Sequence, residues 1–275
     1  MLTEEIEQLE YDLLLDTLSK RYGYDFSNYA KSSLKRQIKL FLEETGIPKI
    51  SAIIPEIVYD ESFAKLLVQN FSIPVTEMFR DPEIYLIFRN HIIPRLKKLP
   101  FIKIWHAGCA TGEEVYSLAI ILQEEGIYDK CQIYATDVNE EVLNKANEGI
   151  YEISTIKRST ANYNNSGGKY SFSKYYHSSY NSAIIDSSLK KNLTFARHNL
   201  VTDATFGEMN LILCRNVMIY FDKLLQDRVY GLFDDSLAYG GFLCLGSKEN
   251  IQFSPLVDNY DEVIINSRIY EKILK

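Results

Sequence analysis

The chain has 275 residues, of which 46% are hydrophobic and 24% are charged, and its formal net charge is −7. This composition is typical of a globular protein with one large domain, or with one medium domain and a small one. The acidic balance argues against a nucleic-acid partner, because phosphate neutralisation supplies most of the affinity of such proteins. No apolar run approaches the roughly 20 residues that span a bilayer. The acidic start over residues 1–5 also differs from a secretory signal, so we expect a cytoplasmic protein without membrane insertion.

The N-terminal part of the chain is predicted to be helical. Helices are expected over 3–20, 27–44, 51–58 and 60–70. In the second of them Leu34, Ile38 and Phe41 recur at helical spacing and predict a core-facing stripe. Gly46 and Pro48 follow it, as is usual after the end of a helix.

A basic row is predicted on another face of this second helix. Lys31, Lys35 and Lys39 are spaced at i, i+4 and i+8, and Arg36 lies beside them. Such a row can lie along an acidic protein surface, so we expect it to dock a protein substrate. A solvated polar face opposite the apolar stripe is the alternative interpretation.

From about residue 80 the pattern changes to strands that alternate with amphipathic helices. Asp81, Pro82 and Glu83 have the order of an N-cap, a first helical position and a first turn, so a helix is predicted over 81–98. Strands are predicted over 101–107, 132–136, 193–199, 210–214 and 241–246, and further helices over 113–125, 140–148 and 222–238. This alternation predicts an α/β fold with a doubly wound parallel sheet.

Two segments depart from the alternation. Residues 152–192 are rich in Tyr, Ser and Asn, with a Gly-Gly pair in the middle. Because their aromatic density is high, we interpret them as a small inserted subdomain that is partly β rather than as a disordered stretch. Residues 262–274 predict a closing antiparallel hairpin.

The segment 104–114 is the first candidate ligand site. It follows a strand and opens a helix, and small residues such as Gly108 let its backbone turn tightly beside a ligand. The loop lacks the full GxGxxG spacing, and Glu113 and Glu114 occupy the helix start, where they would repel a dinucleotide pyrophosphate. Carboxylates suit the sulfonium and ammonium of S-adenosylmethionine instead. We expect one of the two to complement the helix dipole and the other to touch this cofactor.

Two later strand ends point to the same crevice. Asp137 ends the second predicted strand, where an acid can accept both ribose hydroxyls. Capping of the next helix is the alternative role, although Asn139 could also cap it. Arg215 and Asn216 directly follow the strand over 210–214. Because open α/β sheets bind ligands at the carboxyl ends of their strands, we expect these side chains to line one site.

Together these motifs resemble the CheR family, the methyltransferases that esterify glutamates of chemoreceptors. The matching stretches occur in the family's order and are 76–81, 105–117, 135–137, 198–200 and 214–221. The resemblance implies a class I S-adenosylmethionine-dependent methyltransferase Rossmann fold. It also implies an N-terminal helical domain and a small inserted β-subdomain.

The resemblance further implies the domain boundaries and the site residues. Residues 1–75 would form the substrate-recognition domain and residues 76–275 the methyltransferase domain, with the insert at about 152–192. Arg80 and Tyr220 would stand beside the transferring methyl. The cofactor site would be lined by Gly108 of the loop and by Thr76, Arg80, Glu114, Asp137, Asn199, Leu200, Arg215 and Asn216.

The implied reaction is methyl transfer from S-adenosylmethionine to glutamate carboxylates of a chemoreceptor or another signalling protein. The products would be a methyl ester and S-adenosylhomocysteine. A glutamate is ionised at neutral pH, since the ordinary pKa of its side chain is about 4.3, so no general base is required. Arg80 could hold the incoming carboxylate bidentately, and Tyr220 could hydrogen-bond it. We expect the protein to act as a monomer.

Some features depart from the family pattern or leave alternatives open. Pro74 stands where many members have Asn, and the insert is long and less charged, which suggests a branch outside chemotaxis. The alternatives are a methyltransferase for another protein or a small-molecule carboxylate, a signalling module without turnover, and a nicotinamide-dependent oxidoreductase. The cysteines and histidines are scattered, so we predict buried thiols and no metal site.

Overall fold

The structure is a computed structural model that describes residues 2–71 and 76–273. Backbone contacts divide the chain into two units. The smaller holds the N-terminal helices together with Ile219–Gln226, and the larger holds the rest of the described chain. The predicted domain boundary between residues 75 and 76 adjoins positions 72–75, which are outside the described residues, and it stays a prediction. Within the described ranges, no helix is both long and apolar enough to cross a membrane.

The smaller unit is built from amphipathic helices. They are α1 (Leu2–Tyr22), α2 (Lys31–Thr45), α3 (Ile54–Tyr59) and α4 (Glu61–Phe71). The predicted stripe on α2 is confirmed, because Leu34, Ile38 and Phe41 are buried in the core of this unit. Helix α2 ends at Gly46, which has a φ of 70° and whose N–H donates to the carbonyl of Leu42. Glycine adopts this left-handed conformation without a steric penalty.

The larger unit is organised around one seven-stranded sheet in the order β6-β2-β1-β7-β8-β10-β9. The strands of this sheet are β1 (Ile102–Ala107), β2 (Cys131–Asp137), β6 (Leu193–Arg197), β7 (Met209–Cys214), β8 (Leu237–Leu245), β9 (Tyr260–Glu262) and β10 (Ile269–Lys272). Strands β6, β2, β1, β7 and β8 are parallel, and β10 and β9 are antiparallel to their neighbours. This order confirms the predicted class I methyltransferase fold and its closing hairpin.

The centre of the sheet is apolar on both faces, as expected for a parallel sheet that is covered by helices. Ile104, Ile133 and Leu211 are register partners on three adjacent strands, share one face and are fully buried. Trp105 and Ile212, the next pair along β1 and β7, lie on the opposite face and are also fully buried. The covering helices include α7 (Glu113–Glu124), α8 (Glu140–Glu148) and α10 (Lys223–Ser236). All four cysteines are free and buried, which confirms the sequence interpretation of buried thiols.

The helix predicted over 81–98 differs from expectation at its middle and at its start. It consists of α5 (Pro82–Ile87), a π-helical turn over Phe88–Ile92, and α6 (Ile93–Leu96). Pro94 lacks the N–H that would close an α-helical turn, which accounts for the widened turn before it. Asp81 occupies the N-cap position but makes no side-chain capping hydrogen bond, so the predicted capping role is wrong.

The insert forms a small sheet and an unpredicted helix. Strands β3 (Ile150–Glu152), β4 (Tyr176–Ser179) and β5 (Ser182–Ile185) pair in the order β3-β5-β4, and α9 (Ile153–Asn165) lies between β3 and β4 in the chain. The Ser, Thr and Asn residues of α9 have low helix propensity. Burial of Ile156 and Tyr163 on one face outweighs this preference.

One buried carboxylate joins the insert to the helices of the larger unit. Glu124, at the end of α7, accepts hydrogen bonds from the hydroxyls of Tyr163 (2.5 Å) and Tyr175 (2.7 Å) and from the backbone N–H of Lys169. It also pairs with Arg89, and the side chains of Arg89 and Glu124 are 7% and 0% exposed. Because both charges are buried, Glu124 depends on Arg89 for compensation, whereas Arg89 also pairs with Glu125 at 2.7 Å.

Replacing Glu124 with alanine should strongly destabilise the larger unit. The change removes the acceptor of two buried tyrosine hydroxyls and one of the two carboxylates that pair with Arg89, so we expect a loss of about 3 kcal/mol in the free energy of unfolding. Urea unfolding measures it. The control is Asp16→Ala, which breaks the exposed pair with Lys20 and should cost less than about 1 kcal/mol. Equal stability of the two variants would contradict the role given to Glu124.

Candidate functional site

The carboxyl ends of β1 and β2 hold a loop that precedes α7. The N–H groups of Gly108 and Cys109 both donate to the carbonyl of Thr136, at 2.8 and 2.9 Å. Gly108 has a φ of 75°, and a Cβ at this position would lie 2.4 Å from the side chain of Val217. Only glycine satisfies both constraints, so Gly108 allows the loop to turn tightly against Val217 at the edge of the sheet.

Asp137 ends β2 and fastens this loop. Its carboxylate accepts hydrogen bonds from the N–H groups of Ala110 (3.0 Å) and Asn139 (3.0 Å). The next helix is capped by Asn139, whose side chain accepts from the N–H of Glu141. Capping therefore does not account for Asp137. Burial raises the pKa of the Asp137 carboxyl, although the backbone hydrogen bonds act in the opposite direction.

Arg215 lies at the end of β7 and is the centre of an ion-pair cluster. Its side chain is 2% exposed and pairs with Asp81 at 2.5 Å and with Glu114. It also donates to the carbonyl oxygen of Arg80 at 3.5 Å. Burial is the largest single effect on the pKa of Arg215 and would lower it, but Glu114 and the neighbouring Cys244 and Tyr85 together raise it above its ordinary value. The Asp81 carboxylate is drawn to Arg215, which explains why it does not cap α5.

The two glutamates at the start of α7 have different surroundings. Glu113 is buried and accepts a hydrogen bond from the hydroxyl of Thr111 at 2.6 Å. Its burial raises the pKa of its carboxyl. Glu114 turns toward Arg215, and its Oε2 lies 3.7 Å from Nδ1 of His106. Only Glu114 therefore belongs to the cluster around Arg215.

His106 belongs to this cluster, although the sequence interpretation treated it as a dispersed histidine. It is fully buried, and its Nε2 has no hydrogen-bond partner among the described residues. Burial lowers its pKa to about 4; the Glu114 carboxylate opposes this shift and the Arg215 charge adds to it. The ring is thus neutral at physiological pH. The sequence did contain one signal for this burial. Side chains alternate across a strand, so His106 lies on the same face of β1 as the apolar Ile104.

The turn that carries Arg80 has a constrained backbone. Phe79 and Asp81, on either side of it, have φ values of 56° and 53°, in the left-handed region that non-glycine residues rarely adopt. The N–H of Phe79 donates to the hydroxyl of Ser117 at 2.9 Å, and its ring is buried. The surrounding structure therefore holds the backbone of Arg80 in one conformation.

Glu249 is a second buried carboxylate that the sequence interpretation missed. It accepts hydrogen bonds from the N–H groups of Asn216 (2.9 Å), Met218 (2.7 Å) and Gly246 (2.7 Å). Asn216 has a φ of 61°. These contacts fix the turn that follows Arg215. No sequence spacing indicates them, because the partners are backbone groups from two separate loops.

The remaining predicted site residues have varied surroundings. Thr76 is half-buried, and Leu200 is buried. The side chain of Asn199 accepts from the N–H of Val201 at 2.9 Å. Tyr220 belongs to the smaller unit, where its carbonyl accepts from the N–H of Ala30, so its role beside the methyl stays a prediction. Pro74 lies outside the described residues.

The basic row on α2 is only partly as predicted. Lys31, Arg36 and Lys39 are exposed. Lys35 is half-buried, and its Nζ lies 5.5 Å from the centre of the Tyr11 ring. Lys35 therefore packs against α1 through a cation–π contact and is not part of an open face.

Two family models match the chain. One describes the SAM binding domain of the CheR methyltransferases and matches residues 74–262, and the other describes their all-alpha domain and matches residues 9–72. A protein of Pseudomonas putida named "Putative methyltransferase Cher3" is 45% identical over 99% of this chain and 100% of its own length. A chemotaxis protein methyltransferase of Listeria innocua is 29% identical over 90% of this chain and 92% of its own length.

Solved structures resemble the chain less closely. The N-methyltransferase NodS from Bradyrhizobium japonicum is 15% identical and covers 62% of each chain with a TM-score of 0.35, so the assignment depends on the sequence matches. The sheet order and the matched SAM binding domain define a class I methyltransferase whose cofactor is S-adenosylmethionine. Within that class, the chain belongs to the CheR methyltransferase family.

The buried neutral His106 should make stability depend on pH. The unfolded chain has the ordinary histidine pKa of 6.5, whereas the folded value is about 4. Between these values the unfolded state binds a proton that the folded state does not, so the free energy of unfolding falls as the pH drops below 6.5. The loss near pH 5 should be about 2 kcal/mol. His106→Gln should remove this part of the pH dependence.

Urea unfolding of both proteins near pH 7.5 and near pH 5 measures the difference. His177→Gln, at an exposed histidine, is the control and should retain the pH dependence of the wild-type protein. If His106→Gln and the wild-type protein lose equal stability on acidification, His106 is not the group responsible.

Proposed function

We propose that the protein transfers a methyl group from S-adenosylmethionine to glutamate carboxylates of a signalling protein such as a chemoreceptor. The observation that carries the proposal is the ion-pair cluster that Glu114 and Asp81 form around the buried Arg215, beside the constrained Arg80 turn. A relative named as a chemotaxis protein methyltransferase in Borreliella burgdorferi, which is 29% identical over 88% of this chain, supports the choice of substrate.

The residues around the sheet edge fit the chemistry of the cofactor. Carboxylates at Glu114 and Asp137 suit an ammonium group and ribose hydroxyls. Nε2 of His106 and Nε of Arg215 are buried and have no hydrogen-bond partner among the described residues. Buried polar atoms are almost always satisfied, so these two are suited to polar groups of a ligand.

The proposed mechanism needs alignment and charge stabilisation rather than proton transfer. S-adenosylmethionine, when bound, supplies an electrophilic methyl on a sulfonium and departs as S-adenosylhomocysteine. Arg80 orients the incoming carboxylate, and Tyr220 donates a hydrogen bond that fixes its angle of attack. His106 stays neutral and adds no charge that would repel the cationic cofactor. A glutamate substrate is already ionised at neutral pH, so no side chain has to remove a proton.

Asp137→Ala should weaken binding of S-adenosylmethionine. Loss of a charged acceptor for the ribose hydroxyls is expected to raise Kd by at least about tenfold. Asp137→Asn keeps one acceptor oxygen and should have a smaller effect. Calorimetry measures both, with Asp129→Ala as the control at an exposed aspartate. Unchanged affinity in a folded Asp137→Ala protein would exclude the ribose role.

Arg80→Ala and Tyr220→Phe should lower kcat more than they weaken cofactor binding. Each removes a group that orients the carboxylate in the transition state, and a loss of about hundredfold is expected for Arg80→Ala. Arg80→Lys should have a kcat only slightly above that of Arg80→Ala, because an ammonium cannot bind a carboxylate bidentately. Tyr239→Phe, at an exposed tyrosine, is the control.

Tritiated methyl labelling of a native lysate provides the assay and identifies the product. Release of the label as methanol by mild base is the signature of a carboxyl ester. Label on a small molecule, or label that is stable to base, would contradict the proposed substrate. Wild-type rates in both Arg80→Ala and Tyr220→Phe would show that the reacting groups lie elsewhere.

We also propose that residues 1–75 recognise the protein substrate through the exposed cations of α2. Lys31→Glu combined with Lys39→Glu should raise KM for the labelled protein and reduce its salt dependence, because an acidic substrate is then repelled. Cofactor affinity should not change. The control is Lys98→Glu combined with Lys157→Glu, which alters the net charge equally at exposed positions outside α2. Equal KM values at low ionic strength for the two double variants would refute this docking face.

A further inference from the structure

Helix α1 has an apolar face that is not used by the core. Ile6, Leu9 and Leu13 are 52%, 59% and 48% exposed. The core side of the same helix is formed by Tyr11, Leu14 and Leu18, which are all buried. At 100° per residue the centres of the two sets lie roughly 140° apart around the axis of α1. The exposed set is therefore a second apolar face and not the edge of the first. We refer to Ile6, Leu9 and Leu13 as the α1 seam.

The α1 seam has the spacing of a helix-pairing surface. Its residues are separated by three and then four positions, which is the a/d spacing of a heptad, and Leu2 continues this spacing in the sequence. Isolated exposed leucines are common and need no explanation. The three large apolar side chains share one heptad register and form a strip of about 10 Å along α1. The strip ends where Asp16 and Lys20 occupy the next d and a positions, so it offers a second helix about two turns of apolar contact.

Charge restricts what can pair with this strip. No basic residue precedes Lys20, whereas the acids of this segment are Glu4, Glu5, Glu7, Glu10, Asp12 and Asp16. With Ile6 at position a, Glu5 and Asp12 occupy g and Glu10 occupies e. Charges at the e and g positions determine which helices can pair. In a parallel pair of helices the g positions of one helix meet the e positions of the other, and in an antiparallel pair g meets g. If a second copy of α1 were the partner, carboxylates would therefore lie opposite carboxylates. Self-pairing is therefore disfavoured.

We infer that the α1 seam docks one amphipathic helix of a partner protein, with Leu or Ile at its a and d positions and Lys or Arg at its e and g positions. The partner differs from the methylated substrate, whose glutamates would be repelled by Glu5 and Asp12. The inference does not depend on the proposed catalytic activity.

A synthetic three-heptad peptide tests this surface on the full-length protein. The probe carries Ile at a, Leu at d and Lys at e and g, and the comparison peptide carries Glu at e and g. Fluorescence anisotropy should show micromolar binding of the Lys peptide. The Kd should rise about tenfold between ~0.05 M and ~0.5 M salt, and the Glu peptide should not bind.

Three variants locate the binding on α1. Leu9→Lys should weaken binding of the Lys peptide at least about tenfold, because it places a cation in the apolar strip. Leu66→Lys, at a leucine of α4 that is 47% exposed, should have no effect. Glu5→Lys combined with Asp12→Lys should exchange the preference in favour of the Glu peptide. This double variant remains informative if Leu9→Lys does not fold.

Several results would overturn the inference. They are absence of binding at millimolar Lys peptide, equal affinity for the two peptides, and equal effects of Leu9→Lys and Leu66→Lys. A dimer in sedimentation velocity that Leu9→Lys abolishes would show that a second copy covers the face instead.

Discussion

The buried guanidinium of Arg215 is the interaction on which the candidate site depends. A charge that is 2% exposed can persist only with compensation, and Asp81 and Glu114 supply it from two different segments. One arginine therefore holds together the end of β7, the start of α7 and the turn before α5. Removing Arg215 would break both ion pairs at once, and removing both acids would leave its buried charge uncompensated, so the three segments are coupled.

Buried carboxylates fix the loops at this edge of the sheet. Asp137 accepts from the backbone of the loop before α7, and Glu249 accepts from the turn after Arg215. Backbone N–H groups in irregular segments need acceptors when they are buried, and a carboxylate serves several of them at once. The loops are thus held in place before any ligand binds, which suits a reaction that depends on alignment.

A glutamate near each end of α7 pairs with a buried arginine, and the two pairs have different roles. Glu114 at its start compensates Arg215 beside the candidate site, and Glu124 at its end joins the insert through tyrosine hydroxyls and Arg89. The helix thereby connects the insert with the edge of the sheet within the larger unit. The polar composition of the insert is consistent with this attachment, since Tyr163 and Tyr175 both donate hydrogen bonds to the same carboxylate.

The periodicity of apolar residues was sufficient to predict the class of fold. The sheet and its covering helices bury continuous apolar surfaces, and these leave a clear pattern in the sequence. The motif order was sufficient for the family, and the strand ends indicated Asp137 and Arg215. The helix α9 was not predictable, since many of its residues have low helix propensity and burial of Ile156 and Tyr163 in the tertiary structure favours it. The partners of Arg215 and the carboxylate of Glu249 were also beyond prediction. Sequence periodicity indicates which residues are buried, whereas ion pairs and hydrogen bonds to the backbone join residues that are distant in the chain. Only the tertiary structure decides which of these residues meet.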